Sequence, residues 1–288
     1  MPSPRPRPAS GRPAARRRRS AIVVLAFLAA ALVGVGVAVQ RPSVGAEVLV
    51  SDGSTAQPPV PSDTSPTPSA SPSPSPEPTT PAPVLALPGP VPTQGRGSFA
   101  YDSRPGPVLG RAGAVRRFRV AVENGSGQDV HAFGDAVQRA LAGPGSWVDG
   151  GSVRLRRVAP GEGYDFTVYL ATRVTAGRLC GNGGIDIRKG GVPYTSCRVP
   201  GKVVINLDRW QTSAPHLVAA GMPLETYRLY VINHEVGHQL GHHHEGCPAV
   251  GRPAPVMQQQ TLFLGGCRAN PWPYLNGKRY TGPPTWKP

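Results

Sequence analysis

The stretch HEVGHQLGHHHE, residues 234–245, contains five of the seven histidines in this 288-residue chain. Apolar residues before and within it recur at helical spacing, which predicts a helix over about residues 223–240. Residues four apart lie about one turn apart on one side of a helix, so His234 and His238 can approach the same metal ion. Glu235 is the next residue around that helix. Its carboxylate can therefore lean toward the ion and accept a proton from water without becoming a ligand.

A third ligand has to come from beyond the helix. His242 continues the four-residue spacing, but in an unbroken helix it would lie about 12 Å from His234 and could not share one ion with it. Gly241 can adopt the left-handed conformation that ends a helix, after which the chain can turn back. His244, three residues past this glycine, is then the candidate third ligand.

Written out, these residues read His-Glu-x-x-His-x-x-Gly-x-x-His, which resembles the signature of the metzincin zinc peptidases. The resemblance implies one Zn²⁺ bound by His234, His238 and His244, with Glu235 as the general base of peptide hydrolysis. A closer similarity is to a group of secreted, uncharacterised metzincin-like domains of high-GC bacteria, which carry NHEVGH, a Gly-x-x-His continuation and PVMQQQT. That similarity covers roughly Gly97 to the C-terminus.

The same resemblance implies further features of a metzincin domain. Met257, in APVMQQQ, would form the Met-turn below the metal, although packing in the core is the other role open to it. The strand Lys202–Asp208 would border the cleft and pair with an extended substrate, unless it is simply a buried strand of the sheet. Glu245 would be a carboxylate behind the ligands or a surface residue. Gln259 occupies the place of a tyrosine that is usual in the astacin branch, so no residue is assigned to stabilise the oxyanion.

The first 96 residues differ in composition from the rest of the chain. Residues 1–20 are rich in arginine and contain no acidic residue, so we expect a basic cytoplasmic tail. Residues 21–39 are apolar or small throughout, which predicts a single transmembrane anchor; a signal sequence cleaved near residues 44–46 is the alternative. Residues 40–96 are rich in Pro, Ser and Thr and are predicted to be a disordered linker. Residues 97–288 remain as one extracytoplasmic domain.

The whole chain is strongly basic, with 31 Lys and Arg against 16 Asp and Glu. The basic residues of the domain are scattered along the sequence, and the domain is expected outside the cytoplasm. We therefore expect no nucleic-acid partner. The charge is interpreted as a solvated surface that can also be attracted to an anionic cell envelope.

All four cysteines lie in this domain, and an even number in an oxidising compartment predicts two disulfides. Three pairings are possible, and the simplest joins sequence neighbours, Cys180 with Cys197 and Cys247 with Cys267. Cys247 lies three residues past His244, so a fourth metal ligand or a latency switch is the alternative role for its thiol.

Alternating and helical patterns are mixed along the domain, which predicts an α+β fold. The resemblance implies that its sheet is mixed and twisted. The predicted strands are Arg117–Glu123, Val153–Val158, Asp165–Thr172 and Lys202–Asp208. The predicted helices are DVHAFGDAVQRALAG, ended by Gly143 and Pro144, the histidine-bearing helix, and a short C-terminal helix in MQQQTLFL. A Gly-rich loop is expected between the first two cysteines.

These observations favour a membrane-anchored, extracytoplasmic zinc peptidase that acts on protein or peptide substrates. Two other functions stay open: a non-catalytic envelope-binding module with structural zinc, and a zinc hydrolase that acts on peptidoglycan peptides. A structural metal does not need the carboxylate of Glu235, which argues against the first of these. His131 and His216 stand alone in the sequence and are expected to lie at the surface or to have their hydrogen bonds satisfied within the fold.

Overall fold

A computed structural model describes residues 81–285 of the chain. The predicted cytoplasmic tail, the predicted anchor at residues 21–39 and the linker up to residue 80 lie outside the described residues. Within residues 81–285, no helix is both long and apolar enough to cross a membrane.

The described residues form strands and helices in a mixed order, which confirms the predicted α+β class. The strands are β1 Phe99–Tyr101, β2 Val108–Leu109, β3 Ala114–Glu123, β4 Val153–Arg157, β5 Phe166–Ala171, β6 Arg188–Lys189, β7 Val192–Pro193, β8 Cys197–Val199, β9 Lys202–Asn206, β10 Tyr274–Leu275 and β11 Lys278–Arg279. The helices are α1 Val130–Ala142, α2 Arg173–Gly181, α3 Leu207–Thr212, α4 Pro215–Ala219 and α5 Leu224–Gln239, with a short 3-10 helix at Trp147–Gly150.

Seven strands form one mixed sheet. Its order is β2-β4-β3-β5-β9-β8, and β1 pairs with the C-terminal half of β3. The central pairs β4–β3, β3–β5 and β5–β9 are parallel, whereas β2, β8 and β1 join antiparallel to their neighbours. The strands β6–β7 and β10–β11 form two separate hairpins. The strand β8 therefore lies at one edge of the sheet, beside β9.

Strand β9 shows how the sheet is covered on both faces. Val203 and Ile205 belong to the large core that includes residues of α1 and α5, whereas Val204 belongs to a smaller core with residues of α2. All three side chains are fully buried, as expected when successive residues of a strand point to opposite covered faces. The disulfide between Cys180 and Cys197 joins α2 to β8 on the second face.

The predicted strand Lys202–Asp208 differs from the structure in its end and in its position. The strand β9 stops at Asn206, whose side-chain oxygen accepts a hydrogen bond from the backbone N–H of Asp208 at 3.0 Å and so caps α3. Because β8 pairs with β9, the prediction that this segment borders the cleft is wrong, and its alternative as a buried sheet strand is confirmed. A three-residue strand such as β8 carries too little alternation to be recognised in sequence.

The predicted helix in MQQQTLFL is also wrong, because residues 257–264 form turns and irregular backbone with no helix. Glutamine side chains replace the hydrogen bonds of a helix there: Nε2 of Gln258 donates to the carbonyl of Leu264 at 2.7 Å, and Nε2 of Gln260 donates to that of Asn270 at 2.8 Å. The other predicted strands and the two longer helices are confirmed, with ends shifted by a few residues. Helices α2, α3 and α4 have no counterpart among the predicted elements.

The folded domain begins before Gly97. The backbone N–H of Leu224 donates to the carbonyl of Val84, and that of Leu87 donates to Gln211, both at 2.8 Å. The end of the predicted linker is therefore attached to the domain. Its composition is still rich in proline, but the apolar residues of VLALPGPV give it enough side-chain surface to pack.

Candidate metal centre

Helix α5 ends at a glycine in the left-handed conformation, as the sequence predicts. Gly241 has a φ of 98°. Its N–H donates to the carbonyl of His238 at 3.2 Å, and the N–H of His242 donates to that of Gly237 at 3.0 Å, the pair of bonds that defines a Schellman motif. A Cβ atom at Gly241 would meet nothing within 4 Å, so the backbone conformation, and not space, requires glycine there. The chain reverses at this point and brings residues 242–244 back beside the helix.

Three imidazoles converge after this reversal. One ring nitrogen from each of His234, His238 and His244 lies within 4.8 Å of the other two, so these residues could hold a metal ion. The Nε2 atoms of His238 and His244 are 3.0 Å apart, near the roughly 3–3.5 Å expected for two ligands of one tetrahedral zinc. The ring of His242 instead stacks on Trp147, with 4.2 Å between centroids. The predicted set of three histidines is therefore brought together without His242.

Backbone carbonyls set the tautomers of two of these rings. The Nδ1 of His234 lies 2.8 Å from the carbonyl oxygen of Val256, and the Nδ1 of His238 lies 2.8 Å from that of His242. Because a carbonyl only accepts, Nδ1 carries the proton in both neutral rings, and Nε2 keeps its lone pair. This is the arrangement in which a second group orients a metal-binding imidazole.

Burial favours the neutral form of all three rings. It lowers the pKa of His234 well below the ordinary value, and the neighbouring His238 and His244 add to that shift. Burial also lowers the pKa of His238, and it lowers the pKa of His244 to about 4. Since a metal binds the neutral imidazole, the three rings are in the binding form near neutral pH.

Glu235 is buried beside the histidines and lines the same cleft. Its carboxylate forms no hydrogen bond or ion pair with the residues that the structure describes. Burial alone raises the pKa of Glu235 to about 8. The structure therefore keeps a carboxyl group with an unusually high proton affinity next to the candidate ligands.

A tight turn that contains Met257 lies under α5. The N–H of Gln258 donates to the carbonyl of Pro255 at 2.9 Å, which closes the turn. Met257 is fully buried, and a Cβ atom added to Gly237 would lie only 2.5 Å from its sulfur. The carbonyl of Met257 accepts a hydrogen bond from the N–H of Glu245 at 3.1 Å. Met257 thus packs in the core, which was its alternative role, and the carbonyl of Val256 in the same turn lies 2.8 Å from Nδ1 of His234.

Tyr230 connects this turn to α5, a role that the sequence analysis does not assign to it. Its hydroxyl donates to the carbonyl of Gln258 at 3.0 Å and accepts from the N–H of Gln260 at 2.8 Å. Asn270 completes the support, because its N–H donates to the side-chain oxygen of Gln260 at 3.0 Å. The run of three glutamines after the methionine is the only sequence signal for this network.

The histidines open into a cleft of about 390 Å³. One wall comes from α5 and the segment after it, and the facing wall comes from the loop before β8 and from β8 itself. The lining residues that the sequence analysis did not single out include Ile185, Ile187, Thr195, Ser196, Arg198, Gln239, Thr261 and Leu262. Gln259, where a tyrosine is usual in the astacin branch, also lines the cleft.

The predicted disulfide pairing is confirmed. Cys180 is bonded to Cys197, and Cys247 is bonded to Cys267. Cys247 in this state has no thiolate to offer, so its alternative role as a fourth ligand is not realised in the structure.

The remaining charged and histidine candidates have structural partners. Glu245 accepts a hydrogen bond from Arg279 at 2.9 Å, so its carboxylate belongs to an ion pair behind the cluster. His131 lies 3.0 Å from the carboxylate of Asp102, and a ring nitrogen of His216 lies 2.9 Å from a backbone carbonyl. Both isolated histidines are therefore satisfied within the fold, as expected.

The fold and the site together define an α+β domain with a three-histidine candidate metal centre. The family model described as "Protein of unknown function (DUF3152)" matches residues 86–266, which is more than half of the chain, and the protein belongs to that family. No match was found among curated proteins or among solved structures.

Proposed function

We propose that this protein is a zinc-dependent peptidase of the metzincin type that hydrolyses protein or peptide substrates outside the cytoplasm. The observation that carries the proposal is the convergence of His234, His238 and His244 beside the buried carboxylate of Glu235 in one open cleft. The turn at Met257, packed under the same helix, supports the assignment to the metzincin type.

The donor set fits a catalytic zinc ion. His234, His238 and His244 are neutral nitrogen donors, and three protein ligands leave one position open, which is the usual composition of a catalytic zinc site. Cys247 is held in a disulfide and does not close the fourth position. When bound, zinc would act as a Lewis acid that polarises the scissile carbonyl and makes water more acidic.

Glu235 would be the general base. Its carboxylate has no competing partner in the described part of the chain and lines the cleft where a substrate would lie. A nearby cation favours the ionised carboxylate, so a bound metal would lower the pKa of Glu235 from about 8 toward the range that suits proton transfer near neutral pH. Glu235 would accept a proton from the attacking water and pass it to the leaving amine.

Strand β8 would take the role that the sequence analysis gave to Lys202–Asp208. It is the edge strand beside the cleft, and β9 occupies its other side. The free backbone groups of Cys197–Val199 could pair with an extended peptide by adding a strand to the sheet.

The proposed location is extracytoplasmic. Two disulfides in one domain indicate an oxidising compartment. The apolar residues 21–39 would anchor the chain in the cell membrane, and the Pro-rich linker would hold the domain away from it.

Replacing Glu235 by glutamine separates metal binding from catalysis. We expect Glu235→Gln to keep one zinc per chain and to lose about 10²–10⁴-fold in kcat on peptides, because the proton acceptor is removed. Glu225→Gln, a change of an exposed carboxylate on the same helix, should keep the parent's rate. Hydrolysis by Glu235→Gln at the parent's rate would disprove the assigned base.

The substrate is tested by incubating the purified protein with a peptide library and with isolated cell wall, with and without a chelator. Cleavage of the library that stops with the chelator supports the peptidase. Cleavage of cell-wall peptides alone would favour a peptidoglycan hydrolase. Zinc binding without hydrolysis of either would favour the non-catalytic envelope module.

A further inference from the structure

The wall of the cleft carries one cation that no part of the proposed chemistry uses. Arg198 lies in the middle of β8, where Cys197 and Val199 point into the core under α2. Alternation along the strand places Arg198 on the opposite face, toward α5. Its Nε donates to the side-chain oxygen of Gln239 at 2.9 Å, which holds the half-buried side chain against the cleft.

Within the described part of the chain, no acidic residue neutralises the guanidinium of Arg198. Its terminal nitrogens form no hydrogen bond, and no carboxylate within residues 81–285 forms an ion pair with it. Of the acidic residues that line the cleft, Asp186 is paired with Arg188 at 2.8 Å. The other is Glu235, whose pKa is shifted by burial and not by any cation.

This cation lies close to the histidine cluster. Its hydrogen-bond partner Gln239 directly follows His238 in the chain, and Arg198, His238 and Gln239 all line the same cleft. A positive group in a partly enclosed cleft, with its donors directed by a hydrogen bond at Nε, has the geometry that recognises a carboxylate.

We propose that Arg198 binds a substrate carboxylate beside the scissile bond, so that the enzyme prefers peptides with an acidic side chain or a free C-terminus at one subsite. This inference rests on the proposed peptidase function and adds a substrate class to it. The same carboxylate chemistry occurs at Asp, Glu and the chain end, and the test distinguishes these sources.

The test digests two libraries of random decapeptides with the purified, zinc-loaded protein and sequences the products. One library has amidated C-termini, and the other has free C-termini. In the amidated library we expect Asp and Glu to exceed Asn and Gln about tenfold at one position relative to the cleaved bond, the size of effect typical of a hydrogen bond between charged groups. A preference confined to the free-acid library, close to its C-terminus, would identify the terminal carboxylate as the ligand.

Three variants assign the preference to the residue. Arg198→Gln should reduce the acid-to-amide ratio to about one, and Arg198→Glu should turn the preference toward Lys and Arg. Arg111→Gln removes the same charge at an exposed position outside the cleft and should keep the parent's ratio. A parent without the preference, or an Arg198→Gln variant that retains it, overturns the proposal.

A binding measurement keeps this inference separate from the proposed function. The metal-free protein is titrated by NMR with amidated alanine hexapeptides that carry Glu, or Gln in its place, at each position in turn. Tighter binding of a Glu peptide that is lost in Arg198→Gln and kept in Arg111→Gln supports the carboxylate site even if no peptide is hydrolysed. If the parent binds the Glu peptide and the Gln peptide equally tightly at every position, the proposal is overturned.

Discussion

The Nδ1 of His234 and the carbonyl oxygen of Val256 lie 2.8 Å apart, which joins the first candidate ligand on α5 to the turn that contains Met257. The two residues are 22 positions apart in sequence. The orientation of this ring therefore depends on a segment that has no regular secondary structure. Whatever stabilises that segment also stabilises the candidate metal centre.

The disulfide between Cys247 and Cys267 closes the loop that contains Val256. Replacing both cysteines by serine should lower the free energy of unfolding by about 2–4 kcal/mol and weaken zinc binding about tenfold, because the acceptor for His234 becomes less well held. Urea unfolding and competition with a chelator measure the two effects.

The other disulfide supplies the matched control. Serine at Cys180 and Cys197 opens a loop of similar length, 17 against 20 residues, on the face of the sheet covered by α2. Loss of the Cys180–Cys197 disulfide should lower the free energy of unfolding by a similar amount and leave the zinc affinity near that of the parent. Equal losses of affinity in the two double variants would show that the effect on zinc is only a general loss of stability.

His244→Ala should remove a ligand, whereas His242→Ala should not. The ring of His242 stacks on Trp147, and the contact of His242 with His238 uses its backbone oxygen, which alanine retains. Removal of a group behind a ligand typically costs 10–100-fold in affinity, so loss of the ligand itself should cost at least about 100-fold. Equilibrium dialysis with zinc gives both constants, and similar values for the two variants would contradict the assigned ligand set.

Gly241→Ala should destabilise the protein by about 1–2 kcal/mol and weaken zinc binding. The φ of 98° is costly for any residue with a Cβ atom, while the space around the glycine is open. Gly241→Asn should lose less stability than Gly241→Ala, since asparagine tolerates the left-handed conformation better. If urea unfolding shows that Gly241→Ala and Gly241→Asn lose the same free energy of unfolding, the conformational explanation fails.

Gly237→Ala should destabilise for a different reason, which is lack of space. A Cβ atom would lie 2.5 Å from the sulfur of Met257 and 2.6 Å from the ring of Trp147. We expect a loss of about 1–3 kcal/mol. Gly181→Ala, in the last turn of α2, meets nothing within 4 Å and should be neutral or stabilising by up to about 1 kcal/mol. Thermal unfolding of the pair gives the comparison, and a stabilising Gly237→Ala would refute the close packing under α5.

Glu235→Gln should change how stability depends on pH in the metal-free protein. The folded state raises the pKa of Glu235 from 4.5 to about 8, so the folded protein holds this proton more tightly than the unfolded chain does. The stability from this group is complete below about pH 4.5 and is lost as the pH rises through about 8. Glutamine cannot ionise, so the variant should gain stability over the parent across that interval.

The histidines oppose this trend, since their lowered pKa values reduce stability as the pH falls below about 6.5. They are present in both proteins, so the difference in unfolding free energy between Glu235→Gln and the parent isolates the glutamate. Urea titrations from pH 4.5 to 9 with a chelator measure it. A difference that does not vary with pH would show that the carboxyl group is not buried.

The sequence by itself determined the local part of this site. His234 and His238 share a side because the helix repeats every 3.6 residues, and Gly241 ends the helix because only a residue without a Cβ atom adopts its conformation readily. The α+β class followed from the alternating and helical patterns, and the simplest of the three possible cysteine pairings, that of sequence neighbours, is the one in the structure. Each of these properties depends on residues that are near one another in the chain.

Only the tertiary structure decided which groups meet across long separations. The alternation of β9 is the same for an inner strand as for an edge strand, so the place of β8 at the cleft, and with it Arg198, could not be read from the sequence. The sequence likewise predicts a helix for the turn under α5, because no local pattern shows that the side chains of Gln258 and Gln260 bond to backbone groups farther along the chain. Strand order and such contacts are chosen by the packing of the whole domain, and no local pattern encodes that choice.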